Sequence, residues 1–374
     1  MQNVSATLKG TGGVDFPRLF VIFARSAPTA VIFRRGPSEW VQLIRWNSAE
    51  DTFEFGQWFH GRIYERRCDL SPDGSLLIYF AQKINRRTLE DKEFTYAWTA
   101  VSKPPYLTAP ALWPKGDCWA GGGSFENNGT IVLNHKPEKS TPHPNHKTKT
   151  LEVKLRPDVC GEDDPIYSER VERDGWRLKA AWEVEYLGYP DMYRTNQPEI
   201  RERSLPNGNL AIRLTRSISR LDYSELFDLS DQQQSILTPI VGASWVDWDQ
   251  RGRLIIARQG KISVGELAGG GSIREQILID LCGSKPAPTR SPKWAQSWYP
   301  SYSYAIAATL LAEPLAFTLA GAGRARAGRT AMTVSKCNRS AYRNSFSMLT
   351  WAILPLRRLL TEGWYSSSKS TNCA

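Results

Sequence analysis

Between Leu19 and about Leu281 the chain alternates short apolar stretches with polar turns. Val31–Phe33, Trp40–Trp46 and Leu76–Phe80 are rich in β-branched and aromatic residues and are bounded by Pro, Gly, Asn or Asp, a pattern that predicts strands. Leu19–Ala24, bracketed by Pro17, Arg18 and Arg25, predicts the first of them. Apolar spacing near 3.6 residues is hard to find, and Ser224–Gln234 is the one short helix expected.

Four segments share a pattern aligned on a glycine: Cys68–Phe80 around Gly74, Ser124–Leu133 around Gly129, Ser204–Leu214 around Gly208 and Trp245–Ile256 around Gly252. Two residues after each glycine comes Leu76, Ile131, Leu210 or Leu254, and four after it Ile78, Leu133, Ile212 or Ile256. A period of two is what a half-buried strand requires, and a glycine before it suits a turn that needs positive φ. In Ser71-Pro-Asp-Gly74 the proline presets φ for a type I turn, with Gly74 closing it. A second class of hairpin is expected at Trp46–Phe53 and at Val171–Leu178, where a polar turn separates two strands. The aligned glycines lie 55, 79 and 44 residues apart.

The stretch Ser71-Pro-Asp-Gly-Ser-Leu-Leu-Ile-Tyr79 resembles the inner hairpin of TolB-like and WD-repeat β-propeller proteins, and Trp248–Ile256 resembles it more loosely. The resemblance covers four short segments. It implies a propeller that serves as a scaffold for binding at the central channel or rim. The expected fold class is all-β, a β-propeller-like array of antiparallel hairpins over residues 15–285, with room for four or five blades. An irregular meander of antiparallel sheets satisfies the same signals. Residues 286–374 are expected to be an atypical low-complexity tail, poorly structured or helical and basic.

Composition sharpens this picture in two places. Of the formal charge of +10, the last 74 residues carry +7, so the first 300 are nearly neutral and the overall basic balance says little about the main body. Ala305–Gly323 and Ser347–Leu360 are apolar but broken by Glu313-Pro314 and Pro355. Three readings of the tail stand: a transmembrane helix, which this composition disfavours; a basic arm for nucleic acid or membrane, carried by Arg324-Ala-Arg-Ala-Gly-Arg329; or the translation of an altered reading frame. Nucleic acid is expected only through the tail, and no membrane span is expected. The fourteen tryptophans, twelve of them before residue 300, point to packing within repeated sheets, and secondarily to stacking platforms for a ligand. Six cysteines without close pairing, and a polar start with no secretory pattern, lead to the expectation of a cytoplasmic protein.

The run Gly56–Asp69 holds the densest concentration of functional atoms. Strand alternation would send His60, Arg62, Tyr64 and Arg66 to one face, and these four are the candidate ligand-binding residues, suited to an anion because guanidinium forks recognise carboxylate or phosphate. Three histidines, His135, His143 and His146, fall in a proline-broken segment that reads as a solvated loop rather than a metal site. Gly121–Gly123 reads as a flexible loop and Gly269–Gly271 as a turn or linker. Asp247 with Asp249, and Glu183 with Glu185, are carboxylates two apart that would share a face on strands. No phosphate-binding loop, nucleophile elbow or zinc-protease motif occurs, and neither a cofactor nor a metal is expected. The expected function is non-enzymatic: a binding protein that takes a protein or a small molecule at a loop face. The alternative is a hydrolase or carbohydrate-active enzyme on the same scaffold, which would bring Asp247 or Glu183 together with His60.

Overall fold

The computed structural model describes residues 16–298, apart from 37–38, 157–164, 189–191, 206–207, 220–221, 232–235 and 269–271. All of these lie within one unit of the chain, Met1–Glu313. The fold is built from five β-sheets taken in chain order.

The first is an antiparallel meander of β1 (Arg18–Phe23), β2 (Thr29–Arg35), β3 (Trp40–Asn47) and β4 (Thr52–His60). In the second, β5 (Arg62–Ile63) and β6 (Asp69–Leu70) both pair with β7 (Leu77–Gln82), which is followed by β8 (Ala97–Ser102) and β9 (Ala111–Pro114). A five-residue helix, α1 (Arg86–Glu90), lies between β7 and β8 in the chain. The third sheet pairs β10 (Gly123–Asn127) antiparallel with β11 (Thr130–Leu133), and β11 parallel with β12 (Glu152–Leu155). Helix α2 (Ile166–Arg173) follows.

The fourth sheet has seven strands: β13 (Arg177–Ala180), β14 (Glu183–Gly188), β15 (Met192–Gln197), β16 (Glu199–Ser204), β17 (Leu210–Ser219), β18 (Asp222–Asp231) and β19 (Ile236–Pro239). The fifth returns to a four-stranded meander: β20 (Ala243–Trp248), β21 (Leu254–Arg258), β22 (Lys261–Leu267) and β23 (Ile273–Asp280).

The sheets pack face to face, and four apolar clusters fill the interfaces. Ile22, Val31 and Leu43 of the first sheet meet Leu77 and Tyr79 of the second. Ile78, Val101 and Trp113, on the other face of the second sheet, meet Phe125 and Ile131 of the third. Val21, Ile32 and Trp46, on the opposite face of the first sheet, meet Trp245 and Ile255 of the fifth. Val246 and Ile256, on the fifth sheet's far face, meet Ile212 and Phe227 of the fourth. The last sheet therefore packs back onto the first.

This stacking changes the expected burial. In β2 and β7 successive residues on both faces are buried, because each strand belongs to a sheet covered on both sides. The half-buried strand expected after each glycine alternates in exposure along β17, after Gly208, but not along β7, after Gly74.

All four aligned glycines sit in reversals. Gly74, Gly208 and Gly252 donate their N–H groups to Ser71, Leu205 and Asp249, while Gly129 lies between β10 and β11. Only Gly74 and Gly252 have positive φ. The 79-residue gap between Gly129 and Gly208 holds β12, α2 and β13 to β16. The Trp46–Phe53 hairpin forms as expected, with Asn47 opposite Thr52.

Two expectations fail. Ser224–Gln234 was expected to hold a helix, but the described part of it belongs to β18, which pairs with β17 along its whole length. Phe227 and Leu229 are buried while Leu226 is exposed, so the two-residue rhythm was present there. The Val171–Leu178 hairpin is instead the end of α2. Gly175, at φ +101, donates to the Glu172 carbonyl and Trp176 donates to that of Val171. This paired bonding is the Schellman stop, with Trp176 and Val171 packed in the same cluster.

Strands fill the expected 15–285 span from Arg18 to Asp280. Of the span 286–374 only residues 286–298 are described, and they are fastened to the body. Ser291 bonds Thr108, Gln57 donates to the Thr289 carbonyl, and the Trp298 indole N–H reaches the carbonyls of Pro110 and Lys147. Residues 299–374, with all three readings of the tail, lie outside the described residues. Among the described residues no helix is long and apolar enough to cross a membrane.

Candidate functional site

The strands that open the first and fifth sheets, β1 and β20, lie side by side. Helix α2 covers them, and between the three elements lies a cavity of about 450 Å³. Phe20, Trp176, Trp245 and Phe227 give it aromatic walls. The helix presents Tyr167, Arg170 and Val171 to this space and buries Ile166 with them. Positions i, i+1, i+4 and i+5 fall on one helical face, so the sequence places the side chains correctly once the segment is helical.

The lining is heavily charged, and most charges are paired. Arg173 makes a two-pronged contact with Asp69, at 2.8 and 3.0 Å, and donates through Nε to Asp174 at 3.0 Å. Asp69 is fully buried and also accepts from the Phe125 backbone N–H at 2.8 Å, which ties α2 to the second and third sheets. Burial raises the Asp174 carboxyl above its ordinary value, opposed by Arg173. Glu225 is shared by Arg66 and Arg216, and Arg203 pairs with Asp247, which also accepts from the Trp176 indole at 3.3 Å. Asp249 is bonded by Arg253 at 2.7 Å.

Arg170 is different. It is 4 % exposed, and its Nε and one terminal nitrogen have no hydrogen-bond partner among the described residues. Its guanidinium lies 5.3 Å from the Phe20 ring and 5.8 Å from the Tyr167 ring. Arg66 and Arg216 also face the Tyr167 ring, each at 5.0 Å, so three cations converge on one aromatic. Arg25, at another part of the lining, donates to the carbonyls of Phe125 and Glu126. Burial and the Arg173 charge hold its pKa below the ordinary arginine value.

The four residues singled out by sequence are dispersed. The alternation that grouped them is interrupted: β4 ends at His60, Gly61 takes φ +153, β5 is two residues long, and Glu65–Arg67 forms a 3-10 turn. His60 lies tilted against Trp40, ring centroids 4.7 Å apart, and sits 3.6 Å from Glu39, half exposed. Arg62 lies over the Tyr64 ring at 4.4 Å, and the Tyr64 hydroxyl donates to Gln82 at 2.6 Å. Arg66 alone reaches toward the cavity, through Glu225, which lines it.

Other candidates fall into structural roles. The histidine segment is not a solvated loop. His135 is fully buried between Thr99 and the Lys139 carbonyl, and His143 is buried against Phe94 with Nε2 2.9 Å from Glu93. Among the described residues no group of three or more His, Cys, Asp or Glu could hold a metal ion. Gly121–Gly123 is closely packed rather than flexible. A Cβ on Gly122, at φ +78, would fall on the Arg67 carbonyl. Gly269–Gly271 lie outside the described residues. Asp247 lines the cavity but Glu183 and His60 do not, so the convergence that an enzyme reading asks for is not formed.

Arg170 was missed because Val171–Leu178 read as a hairpin. A signal existed: Pro165 before the segment, buried-type residues at 166, 167 and 171, and Gly175 just past the end together mark a short helix. Comparison with known proteins adds nothing to this geometry: no family model and no curated protein matches the chain.

Proposed function

We propose that this chain is a non-enzymatic, propeller-like binding protein whose small-molecule ligand occupies the cavity between β1, β20 and α2. The propeller reading is supported by the return of the fifth sheet onto the first and by the proximity of β1 to β20. Radial repetition in a propeller keeps sheet edges short and protected, and it leaves an axial space that loops or helices can floor. In this reading α2 would take that place.

The cavity itself is the observation that carries the binding role. Its volume of about 450 Å³ falls in the range of small-molecule sites, with aromatic walls set among paired charges. The lining carboxylates Asp174, Asp247 and Asp249 each lie within hydrogen-bond reach of an arginine, which weighs against general acid–base work by them. A cytoplasmic location belongs to the same proposal. Cys68 and Cys282 are free thiols, as a reducing compartment would keep them.

Ser244 lines the cavity wall and is half-buried, so Ser244→Trp would fill the space from one side. A metabolite mixture observed by ligand-detected NMR should show bound compounds with the native protein and lose them with Ser244→Trp, provided circular dichroism shows the variant folded. Identical binding by both proteins, or no binding by either, overturns the cavity as the site. Slow chemical conversion of any bound compound overturns the non-enzymatic reading.

A further inference from the structure

We infer that the cavity takes a small organic anion, a carboxylate or phosphate carried on an aromatic body, with Arg170 receiving its charge; this rests on the reading of the cavity as the ligand site. Other buried arginines find acceptors: Arg201 and Arg216 pair with Glu199, and two more bond backbone carbonyls. Arg34, 1 % exposed, donates to the carbonyls of Leu281 and Gly36, and Arg67 to those of Cys118 and Ala120. Arg170 is as buried, lines open space, and leaves two of its nitrogens without acceptors. Such a group in a native fold calls for an acceptor, and none of the described residues supplies one.

Among the described residues, the carboxylates of the lining do not fill that role. Each carboxylate on the lining is held by another guanidinium: Asp174 by Arg173, Glu225 by Arg66 and Arg216, Asp247 by Arg203 and Asp249 by Arg253. The two rings beside Arg170, at 5.3 and 5.8 Å, carry no oxyanion, which leaves its N–H groups to be satisfied. Water would satisfy those donors but not the charge. The nearby cations Arg66 and Arg216 make the field around Tyr167 more positive still. An oxyanion answers both needs, because the guanidinium fork matches carboxylate and phosphate geometry. The aromatic walls provided by Trp176, Trp245 and Phe227 suit an aromatic body attached to that anion.

A buried charge kept for a ligand has a signature that a structural one lacks. Removing an uncompensated buried cation should leave the free protein as stable as before or more so, whereas removing a satisfied one destabilises. Calorimetric titration and thermal melting would use phenyl phosphate, phenylacetate and the neutral benzyl alcohol, on the native protein, Arg170→Met and Arg170→Lys. At least one anion is expected to bind the native protein tenfold or more tightly than benzyl alcohol, and the tighter anion identifies the oxyanion. Arg170→Met should lose tenfold or more of that anion affinity, hold benzyl alcohol unchanged, and melt at an equal or higher temperature without ligand. Arg170→Lys, which keeps the charge but not the planar fork, should retain part of the affinity, and it carries the test if Arg170→Met does not fold.

Anion affinity unchanged in the folded Arg170 variants overturns the inference. Benzyl alcohol binding that Ser244→Trp abolishes, without any preference for the anions, overturns the anion inference and leaves the cavity reading standing. Failure of all three probes to bind the native protein overturns both.

Discussion

His135 is held in a single tautomer by a chain of donors and acceptors. The Gly122 N–H donates to the Thr99 hydroxyl at 2.8 Å, which lies 2.7 Å from Nε2, while Nδ1 is 2.8 Å from the Lys139 carbonyl. Nδ1–H must therefore donate and Nε2 accept, which is the neutral ring. Burial pushes the pKa down from the ordinary 6.5 to about 4. In the unfolded chain the ring protonates near 6.5, so between that value and about 4 the unfolded state binds the extra proton. Stability should fall as the pH drops through this window and level off below it, by up to roughly 3 kcal/mol for a shift of this size. Urea midpoints measured from pH 7 to pH 4.5 should show that slope, and His135→Gln should flatten it. An equal slope in both proteins would refute the assignment. Sequence could not have shown this role, because Thr99 lies 36 residues away and only the packing of the second sheet on the third brings it to the ring.

At the scale of elements, glycines that look alike in sequence do different work. Gly175 stops α2 at φ +101, and a Cβ there would meet nothing closer than the Arg203 side chain at 3.7 Å. Strain in the left-handed region is thus the whole effect of Gly175→Ala, about 1–2 kcal/mol. Gly129 has no positive φ, and its nearest neighbour would be the Asn127 side chain at 3.5 Å. Gly129→Ala should change stability by no more than about 0.5 kcal/mol. Equal losses from the two substitutions in urea unfolding would contradict the distinction. Hairpins such as Trp46–Phe53 were legible because their signals are local: alternation, then turn residues, then alternation. Helix α2 was obscured because it is two turns long, and its Gly175 was equally compatible with a hairpin. The run His60–Arg66 was misjudged for a related reason. Alternation predicts a shared face only while the strand continues, and Gly61 ends it.

For the whole molecule, the open question in the sequence was how far-apart hairpins meet. Turn chemistry says nothing about which sheet faces which, so the aligned glycines pointed to blades without placing a cavity among them. The decisive contact joins the first sheet to the fifth. Arg253, in the turn after β20, makes a two-pronged contact with Asp51 in the β3–β4 turn, at 2.7 and 2.9 Å across 202 residues. Gln250 reinforces it by donating to the carbonyls of Ala24 and Ala27 and accepting from Ser48. The Arg253 contact also holds the Asp51 carboxyl below its ordinary value. That contribution to stability is therefore present above the ordinary carboxylate range and is lost as the pH falls through the native pKa. Both side chains are largely shielded from water, so the bidentate pair should couple by about 1–2 kcal/mol, more than an exposed surface pair. A double-mutant cycle with Asp51→Asn and Arg253→Met would read that coupling from urea unfolding at pH 7. Because the pair bridges the two ends of the strand-bearing chain, breaking it should also speed hydrogen exchange in β1 and β20 together while leaving β8 and β11 protected. Coupling indistinguishable from zero, or exchange that rises in only one of the two strands, would mean that the fifth sheet does not close on the first.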